Sequence, residues 1–100
     1  MTSSKRLIFK DLCNSGATRS DGRLARQAAQ QALEEVAVVV LDFRDLRVTP
    51  SFADELVGRL AAELGAETFR ARVRAENLND TTRVLLRHAV RRRLSEAISA

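Results

Sequence analysis

The sequence predicts an α/β domain: a small, mainly parallel sheet whose strands alternate with helices in the order β-α-β-α-β-α, built in two or three layers and closed by a long C-terminal helix. Three observations predict it. "VAVVVLDF" at 36–43 is an unbroken apolar run rich in β-branched residues, the pattern of a central strand buried on both faces. Segments of helical period lie on either side of it, which is the alternation of βαβ units. The chain has 100 residues, 45% of them hydrophobic, enough for one core and one domain over 1–100.

The elements follow in order. "RLIFKDL" (6–12) reads as a short first strand, and "CNSGATRSDG" (13–22) as a loop. A helix is predicted over 20–35, capped by Ser20 or Asp21, with Leu24, Ala25, Ala28, Ala29, Ala32 and Leu33 on one stripe. The central strand is followed by a connection at 44–48 and a second helix over 51–65. The apolar face of that helix is Phe52, Leu56, Val57, Leu60, Ala61 and Leu64, and Gly65 stops it. "TFRARVRAE" (68–76) alternates strictly, which predicts an edge strand with Phe69, Ala71, Val73 and Ala75 inward and Arg70, Arg72 and Arg74 outward. After an Asn77–Asp80 turn, the last helix over 80–99 carries Leu86, Val90, Leu94 and Ile98 on one stripe.

Composition narrows the function classes. One cysteine, Cys13, leaves no internal disulfide, and one histidine, His88, makes a zinc site a poor fit; no metal or cofactor is expected. Cys13 is expected to be a buried structural thiol and His88 a surface or boundary residue. No apolar run approaches the ~20 residues of a membrane span. The N-terminal "MTSSKRLIFKDL" does not read as a signal peptide, so a cytoplasmic, bacterial-style domain is the expectation.

The turn at 49–55 admits several readings. Pro50 biases Thr49 away from helical geometry, so Ser51 is the expected N-cap, with Asp54 reaching back to it and Asp54 and Glu55 favoured by the helix dipole. That is a complete structural account. Catalysis is the first alternative: Asp42, Asp45, Asp54 and Glu55 would have to converge beyond the carboxyl end of the central strand, where α/β folds place ligands. No glycine-rich phosphate loop, nucleophile elbow or histidine partner accompanies them, so no enzyme is expected. A partner-facing turn made of Thr49, Ser51, Asp54 and Glu55 is the second alternative.

Three stretches carry a family resemblance: "TRSDGRLAR" (18–26), "VVVLDFRDLRVTPSFADEL" (38–56) and the asparagine turn before the last helix. Residues 18–93 resemble the STAS-like domain family of uncharacterised bacterial proteins, itself distantly similar to the anti-sigma-factor antagonist (STAS) domains. The resemblance implies a compact α/β regulatory domain, not an enzyme. It also implies a protein partner, in STAS systems typically a serine kinase of the histidine-kinase-like ATPase type. Antagonists carry an Asp-Ser-Ser-Gly turn whose second serine is phosphorylated. Here the aligned residues are Pro50, Ser51, Phe52 and Ala53, so the phosphoacceptor position is a phenylalanine.

The net charge is +4, and fifteen of the seventeen basic residues are arginines. Arg83, Arg87 and Arg91 recur at i, i+4 and i+8 and form one ridge of the last helix. If that ridge adjoins Arg70, Arg72 and Arg74, a basic patch results, suited to an acidic protein or to nucleic acid. The expectation is therefore a regulatory protein-interaction domain, with a basic nucleic-acid-binding accessory domain as the alternative. Homo-oligomers are compatible with either.

Overall fold

A computed structural model describes residues 3–13 and 15–99, the side chains of 97–99 excepted. The architecture is α/β, as the sequence predicts: β1 (Ser4–Ile8), α1 (Phe9–Leu12), α2 (Arg19–Glu35), β2 (Val38–Asp42), a middle helix over 50–64, α5 (Ala66–Arg72), β3 (Val73–Glu76) and α6 (Asp80–Ser99). The middle helix runs through α3 (Pro50–Ala53), a π-helical turn (Asp54–Gly58) and α4 (Arg59–Leu64). The three strands are parallel in the order β1-β2-β3, so the apolar strand is central.

Two crossovers of the same hand in a sheet of sequential order bring their helices to the same face. The domain accordingly has two layers. Val39, Leu41 and Phe43 of β2 and its extension point into the helical core. All five residues of β2 are buried, and Val38, Val40 and Asp42 alternate onto the face opposite that core. There Val40 lies level with Arg6 of β1 and Arg74 of β3, and Asp42 level with Glu76. Arg6 reaches across to donate to Asp42 at 2.8 Å and to Glu76 at 2.8 Å. Long arginine stems covering apolar surface while their heads stay wet account for the burial of that face.

The middle helix lies between α2 and α6, which gives it a wide buried face: Phe52, Leu56, Val57, Leu60 and Ala61 are all buried. Two glycines allow the close crossings. A Cβ on Gly22 of α2 would stand 3.0 Å from the Phe52 carbonyl oxygen, and one on Gly58 would stand 3.2 Å from the Ala89 carbonyl oxygen of α6. Gly65 ends the helix, as expected.

Several boundaries differ from expectation. β1 ends at Ile8, and the chain turns so that Phe9 packs edge-on against Phe43 and Phe52, with ring centroids 5.3 and 6.5 Å apart. The cap of α2 is Thr18, whose hydroxyl accepts from the Asp21 amide, and the buried Asp21 carboxylate accepts from the Thr18 and Ser15 hydroxyls. Leu24 is exposed; the other five residues of its stripe are buried or half-buried.

The largest correction concerns 68–76. Residues 66–72 are helical and only Val73–Glu76 pair as a strand, at the sheet edge. Ala66, Phe69 and Val73 also fit the helical spacing i, i+3, i+7, and Glu67 early with Arg70 and Arg72 late suits the helix dipole. Ile98, the last member of the α6 stripe, falls outside the described side chains.

Candidate functional site

The predicted turn is a joint, not one exposed surface. Thr49, not Ser51, caps the middle helix: its hydroxyl accepts from the Phe52 amide and donates to the Ala17 carbonyl at 2.8 Å. Pro50 then takes the first helical position, where its missing N–H costs nothing. This corrects the expected cap. Ser51 is exposed. Phe52, at the antagonist phosphoacceptor position, is wholly buried.

Asp54 and Glu55 leave the helix in different directions, because successive helical residues point ~100° apart. Asp54 faces α6, where Arg93 donates to both its oxygens at 2.7 and 2.6 Å. Arg93, with Arg19 assisting at 3.0 Å, holds that carboxyl well below the usual carboxylate range against the opposing effect of burial. Glu55 faces α2 and is only 2% exposed. It accepts from Arg26 at 2.6 Å, with Arg19 and Arg59 each at 3.3 Å. Glu55 was expected at a partner surface; it is instead an internal ion-pair centre, since a carboxylate at that depth requires counter-charge.

The four carboxylates considered for catalysis do not converge. Asp42 is buried on the open sheet face, held well below the usual carboxylate range first by Arg44, then by Asn77 and Arg6. Asp45 is exposed and paired with Lys10 at 3.1 Å. Asp54 and Glu55 lie between the helices. A polar cleft of about 690 Å³ does open at the carboxyl ends of the strands, lined by Asp45, Arg47, Asn77, Asn79 and Thr82 among others. Among the described residues, no three of His, Cys, Asp and Glu gather as a metal site would need. Cys13 is half-buried, not fully buried, and burial pushes its thiol up; His88 is exposed.

The predicted basic patch forms in part. Arg72 turns away to donate to the carbonyls of Leu33, Val36 and Ala37, closing the C-terminal end of α2. Arg74 lies on the sheet face away from the helices. Arg70 of α5, however, meets Arg87 and Arg91 of α6 along one groove of about 290 Å³. Arg83 of the predicted ridge is exposed and does not line it. The groove floor is apolar, including Leu41, Val57, Val73 and Leu86, and half-buried Phe69, Val90 and Leu94 line its sides.

None of Arg70, Arg87 and Arg91 has an ion pair or side-chain hydrogen bond among the described residues. Sequence reasoning missed Phe69 as a groove wall because it placed that residue in a strand. It missed Arg19, Arg26 and Arg93 because their carboxylates lie 29 to 39 positions away.

Among the described residues, no helix is long and apolar enough to cross a membrane. Neither a curated protein nor a solved structure matches the chain. A family model described as "STAS-like domain of unknown function (DUF4325)" matches residues 22–83, which takes in α2 from Gly22 onward, the central strand, the middle helix and the asparagine turn. With well over half its length matched, the chain belongs to the family of STAS-like domains of unknown function.

Proposed function

We propose that this chain is a non-enzymatic regulatory domain that acts in the bacterial cytoplasm by binding another protein. The observation that carries the reading is the groove between α5 and α6: an apolar floor edged by three arginines with no counter-charge among the described residues. Apolar recesses bordered by unpaired charge suit recognition of a complementary surface. Three of the carboxylates considered for catalysis support it from the other side, since guanidinium groups already hold Asp42, Asp54 and Glu55. With Phe52 buried at the phosphoacceptor position, regulation here works by docking and not by phosphorylation of that residue.

A histidine-kinase-like ATPase is the partner class that the likeness to antagonist domains suggests. The test is a titration of such an ATPase, encoded beside this chain, against the purified domain. Saturable binding that survives moderate salt is the expected result. No binding, together with retention of duplex DNA that falls steeply with salt, would replace the reading with a nucleic-acid-binding domain.

A further inference from the structure

Resting on that reading, we infer that the groove receives an acidic amphipathic helix of a different protein. The arginines stand on opposite walls, Arg70 on α5 and Arg87 and Arg91 on α6. A guest lying between them would need negative charge along both flanks and an apolar stripe beneath. Along α6 the groove runs from Leu86 to Leu94, a rise of ~12 Å at ~1.5 Å per residue. Anchors at i, i+3 or i+4, and i+7 of a docked helix span about the same length.

Other occupants fit less well. The groove, at about 290 Å³, is at or below the small end of the ~300–1,000 Å³ typical of sites that enclose small molecules. A second copy docked symmetrically would set each arginine against its own kind. Nucleic acid would satisfy the arginines but leave the apolar floor uncovered. Of the four phenylalanines, Phe9, Phe43 and Phe52 are buried in the core, so only Phe69 offers an edge for base stacking.

The experiment uses the full chain and fluorescein-labelled synthetic peptides of about sixteen residues read by anisotropy. One peptide carries leucines at i, i+4 and i+7 flanked by glutamates; a second has the same composition scrambled; a third has lysine for each glutamate. We expect the first to bind saturably and at least tenfold more tightly than the scrambled peptide. The double variant Arg87→Glu/Arg91→Glu should lose at least tenfold for the glutamate peptide and gain affinity for the lysine one. Arg87→Gln/Arg91→Gln serves if the reversed variant does not fold.

Equal affinity for the ordered and scrambled peptides, or tighter binding of a DNA duplex than of either, would overturn the inference. If the ATPase binds and the ordered peptide does not, this inference fails while the interaction role stands; if the ATPase does not bind either, both fall.

Discussion

The four arginines gathered around the middle helix each hold a carboxylate, whereas the three along the groove hold none among the described residues. Arg19, Arg26, Arg59 and Arg93 share Asp54 and Glu55, and both carboxylates are largely removed from water. A charge at that depth is tolerable only with its partner in place, so those arginines belong to the fold. Arg70, Arg87 and Arg91 lie close together with like charge and no such duty. On the proposed reading, the difference separates arginines that hold helices together from arginines turned toward a partner.

The strongest way to break this division is at Glu55. Glu55→Ala leaves Arg26, only 11% exposed, with just a longer 3.9 Å contact to Glu63, and should destabilise by ~3–5 kcal/mol in urea unfolding. Glu55→Leu combined with Arg26→Met should recover much of that loss, because the pair then leaves without an orphan. A loss below ~1 kcal/mol for Glu55→Ala would place Glu55 among the idle charges.

Acid provides a second, smaller test. Asp42 and Asp54 have folded-state values held below the unfolded carboxylate value of ~3.9. Their contribution is therefore complete above that value and disappears as pH falls through it, over roughly pH 5 to below 2. Asp54→Asn should flatten this acid limb in denaturant midpoints measured from pH 7 down to pH 2. An unchanged limb would mean that Arg93 gives Asp54 no net preference for ionisation.

Smaller again is the cap. Thr49→Ala should cost ~1 kcal/mol, while Ser51→Ala should change stability by no more than ~0.5 kcal/mol. The reverse order in equilibrium unfolding would restore Ser51 as the cap.

The way these features were or were not legible has a physical basis. Local rules located the central strand, the middle helix, α6 and the Gly65 stop, because each rests on periodicity or on backbone preference within a few residues. The cap differs from expectation by two residues: Pro50 fits the first helical position, which moves the cap back from Ser51 to Thr49. The segment 68–72 reads as a strand because arginine at every second place imitates one, while Phe69 and Val73 also satisfy a helical face. The Asp54–Arg93 and Glu55–Arg26 pairs had no local signal at all. Of the contacts to Asp54 and Glu55 among the described residues, the Arg59–Glu55 pair, four residues apart on one helix, was the one readable from spacing. The groove needed the fold itself, since its two arginine walls are separated by a strand and a turn.

The central claim, that the groove arginines serve a partner and not the fold, is tested most directly by one variant measured twice. Arg70→Gln/Arg87→Gln/Arg91→Gln should unfold in urea within ~0.5 kcal/mol of the parent chain, as expected for charges without partners. Titrated against the proposed ATPase partner, the same folded variant should bind at least tenfold more weakly, about 1.4 kcal/mol. Loss of stability beyond ~2 kcal/mol, or an affinity equal to that of the parent, would contradict the account.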